Sequence, residues 1–356
     1  MIFFLLAGTI SFCLYFRKIE FLIPTNLKFV NTGKILLQAL AIPLFLIYIK
    51  QFYFILTNGY ISIFNGDLAR NTSIIEIIIP RLMEYSFYIF LAGVPSEKQF
   101  KKYSLLYILL MFLHAIKGQR GSFILLLILI TWYYYKVYGR NKSLSLRKLF
   151  LAILPLQLFS QLILYTRVGK NLSTYSILDV PYNFLLTNGI SINVSAYVIQ
   201  FYDSGLASQG VPYFFAPLYD YFYRIFIDRS VFYAGRTIEL LEVSNYLSNK
   251  LIHFINPGAY FYGNGTGSSY LAELYDLGGV IGGAIALFFI VRCILIFEFT
   301  AKYKRFFLFL SPIVLMKFIY IPRDSLLKII DDLLIFILIY ILIRYFVKNK
   351  RTKELK

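Results

Sequence analysis

Runs of continuously apolar residues alternate with short basic segments along this chain. The runs lie near 2–16, 35–55, 74–94, 104–116, 122–138, 149–166, 272–297, 306–321 and 326–347. Several approach the ~20 residues that a helix needs to cross the ~30 Å hydrocarbon core of a bilayer. Their apolarity is continuous rather than alternating, which predicts helices and argues against barrel strands. The expected fold is all-α: a polytopic helical membrane protein with about 9–11 transmembrane helices, folded as a single integral membrane domain over 1–356. The first run is short, with about 22 Å of helix, and is the weakest of the expected crossings.

One region breaks the pattern. Residues 167–271 form a long stretch between spans, and within it 183–202 and 211–227 are apolar enough to enter the bilayer. Asn188, Gly189, Ser191 and Asn193 interrupt the first, and Pro212 and Pro217 the second. They predict either an extra hairpin or a pair of re-entrant or interfacial helices. Both choices return 224–262 to the same side, because a hairpin adds two crossings.

Charge sets the orientation. Loops 17–34, 95–103, 139–148 (with Lys136), 298–305 and the C-terminal tail hold 20 of the 36 Lys and Arg residues, and they fall on alternate sides of the spans. Cytoplasmic loops collect Lys and Arg, so these loops are expected in the cytoplasm and region 167–271 on the outer side. The net charge of +18 is thereby spread over loops, which argues against a nucleic-acid surface. With 59% hydrophobic residues and a mean hydropathy of +0.67, the chain departs from soluble composition. Cys13 and Cys293 both fall in expected spans and make no zinc site. Ile2–Phe16 lacks the basic start and small-residue cleavage site of a signal peptide. No internal repeat matches one half to the other, as many transporters would require.

The stretch from Asn171 to Asn249 contains no lysine; its cations are Arg224, Arg229 and Arg236. Arginine offers a planar fork suited to bidentate phosphate contacts, so a lipid diphosphate is a fitting anion. Further guanidinium candidates are Arg120 in KGQRGS, Arg167 in YTRVGK and Arg323 in YIPRDS, each at an expected outer turn. Against them stand plain alternatives: cations that snorkel to the interface, aromatics that form an interfacial belt, and local ion pairs such as Arg229 with Asp228 or Arg323 with Asp324. The glycine-rich FYGNGTGSSYLAELYDLGG leads into an apolar span. It lacks the glycine-lysine-serine end of a phosphate loop, yet Gly265, Gly267 and Ser268 precede a helix start, where backbone N–H groups and the dipole favour anions. Glu273, one turn inside, either complements that dipole or serves as a base beside a membrane cavity. His253 is the reserve base.

On these residues the chain resembles the O-antigen polysaccharide polymerases of bacteria, the Wzy type. The resemblance rests on KGQRG (117–121), on GTGSSYLAELYDLGG (265–279), and on the spacing from Arg224 to Gly235. It implies a multi-pass enzyme of the inner membrane that joins oligosaccharide repeat units carried on undecaprenyl diphosphate at the periplasmic face, without cofactor or metal. The lipid-linked oligosaccharide and membrane lipids are then the expected partners, with a chain-length regulator protein as a further one. An inverting displacement fits a single base, Glu273 or His253, opposite an arginine clamp. Two other readings share parts of the pattern: an O-antigen ligase-like glycosyltransferase, and a polysaccharide flippase or transporter lined by intramembrane charges such as Glu76, Arg81, Glu84, Arg292, Lys317 and Lys328.

Overall fold

The computed structural model describes residues 23–58, 72–116, 120–139, 193–228, 230–232, 236–261, 266–320 and 324–353. Among them every regular element is helical. They fall into two compact units, one comprising the described residues up to 139 and the other those from 193 onward. The expected spans at 2–16 and 149–166, and the segment 183–192, lie outside the described residues.

The first unit holds α1 (Leu27–Asn58), α2 (Ile74–Ala92), α3 (Glu97–Ile116) and α4 (Arg120–Val137). They coincide with four expected spans, and sequence-local signals set their starts. Ser73 accepts the Glu76 N–H at the start of α2. Ser96 and Gln99 exchange bonds at the start of α3, so that orphan amides are met reciprocally. The α1–α2 pairing depends on Gly33, where any Cβ would come 2.6 Å from the Phe90 backbone nitrogen. Small residues permit this kind of close helix approach where water supplies no hydrophobic drive. Tyr133 donates to the Leu91 carbonyl and Tyr138 to the Pro95 carbonyl, both at 2.6 Å, tying the end of α4 to the α2–α3 turn. Large apolar side chains on α1, including Ile35, Ile42 and Leu46, stay exposed, as lipid-facing positions would.

The second unit contains α5 (193–201), continued by a π-turn at Tyr202–Leu206, then four short helices: α6 (Ala216–Phe226), α7 (Ile238–Val243), α8 (Leu247–Ile255) and α9 (Pro257–Phe261). Three longer ones follow: α10 (Tyr270–Thr300), α11 (Arg305–Tyr320) and α12 (Ile329–Lys353). Val194, Val198, Leu206, Tyr213, Leu247 and Leu251 form the core that binds the short helices to one another. Helix α6 is too short to cross a bilayer at 1.5 Å per residue. It buries Ala216, Pro217 and Asp220 on one face and exposes Phe222, Ile225 and Phe226 on the other, the profile of an interfacial helix.

Among the described residues two helices, α1 and α10, are long and apolar enough to cross a membrane by length and composition. In α10 the expected continuous span is broken. Gly278 and Gly279 leave helical geometry, and Gly279 takes φ 61°, ψ −154°, a conformation open essentially to glycine. The break divides a short polar arm, which carries Glu273 and Asp276, from the apolar segment Val280–Thr300. That segment rises about 31 Å, matching the hydrocarbon core.

Candidate functional site

The polar arm of α10 organises the second unit. Glu273 is fully enclosed. Its Oε1 accepts the Ser268 hydroxyl at 2.7 Å and its Oε2 the Ser325 hydroxyl at 3.0 Å, with the Leu326 backbone N–H as a further donor. A buried carboxylate is tolerable only when its lone pairs are met in this way. Ser269, the N-cap of α10, shares a 3.0 Å hydroxyl contact with Ser195. The glycine-rich loop thus meets its helix with Gly267 at φ 78° and with the Ser268 hydroxyl engaged by Glu273.

One turn further, Asp276 clasps the loop that follows α5. Its two oxygens accept the backbone N–H groups of Ser208, at 3.1 Å, and Tyr213, at 2.9 Å. That loop forms one wall of a cavity of about 580 Å³. Ala207, Gln209 and Tyr213 lie on this wall; Asn245, Lys250 and His253 line the cavity as well.

A second buried carboxylate braces the part of the lining at Asn245. Asp220 on α6 accepts the Ser244 hydroxyl at 2.5 Å and the Asn245 N–H at 3.3 Å. Burial pushes its pKa up to about 6, against the opposing pull of these bonds and of Lys250 and Arg224. Lys250 donates to the Leu241 carbonyl. Burial lowers its pKa, while Asp220 and Glu242 work the other way.

From the cavity a short aromatic row runs to a cation. His253 meets Tyr260 edge-on with ring centres 5.6 Å apart, and the Arg236 guanidinium lies 5.3 Å from the same tyrosine ring. Arg236 is half-buried, and desolvation draws its pKa below the usual arginine value. Arg224 sits on the Tyr221 ring at 5.5 Å, in the last turn of α6. Asp228 accepts the Ser230 N–H at 2.7 Å, closing a local turn. Asp324 pairs with Lys328 at 3.0 Å.

The family model described as O-antigen polysaccharide polymerase Wzy matches residues 2–353, nearly the whole chain. The chain belongs to that family. It is therefore a membrane enzyme of surface-polysaccharide polymerisation, a glycosyl-transfer activity on lipid-linked repeat units. No curated protein and no solved structure matches it.

Of the residues expected to act in this polymerase, the second unit brings His253 and Arg236 to one aromatic row and Ser268 to Glu273. Glu273 and Arg236 are not among the residues that line the cavity, and His253 is. Arg120 is the first residue of α4. Arg167, Arg229, Arg323 and Gly265 lie outside the described residues. Sequence reasoning missed Ser325, Ser244, Asn245 and Lys250. A signal existed for the last: Lys250 ends the lysine-free stretch and falls in α8, whose apolar face is buried. Two of the charges considered for a transport path are paired with other residues, Glu76 with Lys50 at 2.6 Å and Lys317 with Asp332 at 2.8 Å.

Proposed function

We propose that the polymerase transfers a glycan from undecaprenyl diphosphate onto the next lipid-linked repeat unit, at the periplasmic face of the inner membrane and with inversion. The acceptor hydroxyl attacks the anomeric carbon from the face opposite the diphosphate. The glycosidic C–O bond forms as the bond to the diphosphate oxygen breaks. The hydroxyl proton passes to a base, and the lipid diphosphate leaves with its charge countered by arginine.

The observation that carries this reading is the row from His253 through Tyr260 to Arg236. It sets a proton acceptor, open to a cavity, one ring away from a guanidinium held in partly desolvated surroundings. General-base help and preorganised cations are the two contributions that an uncatalysed displacement lacks. His253 is the base in this reading. Glu273, enclosed and bonded by two hydroxyls, positions the glycine-rich loop against the segment at Ser325. Arg224 and Arg236 hold the diphosphate in this reading; Arg120, Arg167, Arg229 and Arg323 are the further arginines that the sequence offers for that role.

Disruption of the coding sequence, followed by gel analysis of surface glycan, tests the reading. Loss of polymerisation leaves single repeats attached, whereas loss of a ligase leaves no attached glycan. Complementation with His253→Ala or Arg236→Ala restores no ladder although the protein accumulates in the membrane. Arg236→Lys rescues poorly if the bidentate fork matters. Normal ladders from both alanine variants refute the assigned roles.

A further inference from the structure

We infer that the 580 Å³ cavity is the acceptor-glycan site, that it takes uncharged pyranose rings from the non-reducing end of a repeat unit, and that the lipid diphosphate stays outside it. This deepens the polymerase reading and rests on it.

Size is the first support. The volume falls within the ~300–1,000 Å³ of sites that enclose small organic ligands, with room for more than one sugar ring. Wall chemistry is the second. Gln209 and Asn245 each present an amide that donates and accepts, the same dual capacity as a sugar hydroxyl. Beside them stands the half-exposed ring of Phe254, an apolar face against which a pyranose can lie. Phe254 is itself backed by Phe201, with ring centres 5.5 Å apart.

Electrostatics decides against the diphosphate. Among the described residues no arginine lines the cavity, and Glu242 does. Lys250, the one lysine among the described lining residues, already donates to the Leu241 carbonyl and shares the field of Asp220. A diphosphate brought here would face a carboxylate and find no guanidinium fork among the described lining residues. Arg236 lies on the far partner of His253, against Tyr260, which is buried and not part of the wall. The aromatic row thus separates two chemistries: saccharide on the His253 side and anion on the Arg236 side.

The site is also held in shape before any ligand arrives. Asp276 fixes the Ser208 and Tyr213 amides, and Asp220 fixes Ser244 and Asn245. Such preorganisation removes ordering cost from binding.

Binding by the purified full-length protein in nanodiscs tests the assignment, with two probes. One is the oligosaccharide repeat unit freed from its lipid; the other is farnesyl diphosphate, which has no glycan. Ala207→Trp fills the cavity from an extended backbone position, and Asn245→Ala removes one amide while keeping the backbone bond to Asp220. The expected result is that both variants bind the saccharide about tenfold or more weakly, with farnesyl diphosphate binding unchanged. If Ala207→Trp fails to fold, Asn245→Ala decides alone. Undiminished saccharide affinity in the folded variants, parallel loss of farnesyl diphosphate binding, or no saccharide binding by the wild type overturns the assignment. The polymerase reading fails separately, if the wild type binds the saccharide in this site yet adds no unit to lipid-linked repeats.

Discussion

The Ser325 hydroxyl lies 3.0 Å from Oε2 of Glu273, across 52 residues of sequence. The contact joins the start of α10 to the turn before α12, two segments that carry no shared sequence signature. It makes the carboxyl group a structural tie as well as a candidate base, and the two roles separate by substitution. Glu273→Ala leaves both serine hydroxyls unmet in a buried place, at about 1–3 kcal/mol for each. It is expected to lower the melting temperature in detergent and to abolish the glycan ladder. Glu273→Gln preserves shape and one acceptor oxygen, so a positioning role predicts a partial ladder and a general-base role predicts none.

Asp276 acts on the cavity wall through two backbone amides. Asp276→Ala is expected to free the 207–213 loop, because hydrogen bonds to a charged acceptor contribute about 1.5–3 kcal/mol each. Limited proteolysis should cut faster in that loop, and KM for the acceptor should rise more than kcat falls. Asp276→Asn recovers only part of the effect, since its NH₂ group faces an N–H donor. Unchanged proteolysis of the alanine variant would refute the clasp.

Gly279 sits at φ 61° with open space where a Cβ would go, so backbone strain alone opposes a side chain there. Gly279→Ala is expected to destabilise the protein by about 1–3 kcal/mol. Gly282, also in open space but in regular helix, provides the contrast. Gly282→Ala should be neutral or stabilising, by up to about 1 kcal/mol. Equal melting temperatures for the two variants would remove the break as a structural requirement.

Asp220 provides a pH signature. Its pKa stands near 6 in the folded chain against an ordinary 3.8, so the folded state holds the proton more tightly than the unfolded state. Below about pH 4 the group is protonated in both states and adds no pH dependence. Between about pH 4 and 6 folding stability falls as pH rises, by up to about 3 kcal/mol in all, and above pH 6 the loss is complete. Melting curves from pH 4 to 7 should show this slope in the wild type and a flatter one in Asp220→Asn. An identical slope in both would assign the pH dependence to other groups.

Much of the fold was legible because its causes are local. Four of the expected spans coincide with α1 to α4, and the Ser73 and Ser96 caps lie within three residues of the groups they satisfy. The candidate site was legible only in its residue types. The lysine-free stretch and the glycine-rich loop contribute residues to the unit that holds the cavity, and His253, one of the named bases, lines it. The partners were not legible: Ser325 for Glu273, Ser244 for Asp220 and the Ser208 and Tyr213 amides for Asp276 have no periodicity that marks them.

By itself the sequence determined that the chain is helical, that it is rich in segments suited to a bilayer, and that it carries the marks of its family over nearly its whole length. Continuous apolarity and basic loops do this without any knowledge of packing, because each helix satisfies its own backbone bonds. Only the tertiary structure decided that α10 breaks at Gly278–Gly279, that Glu273 is enclosed while His253 opens on a cavity, and that Arg236 stands one ring away. Those outcomes depend on contacts between residues far apart in the chain, where a side chain's role is set by which groups arrive to meet its lone pairs and which leave it facing open space.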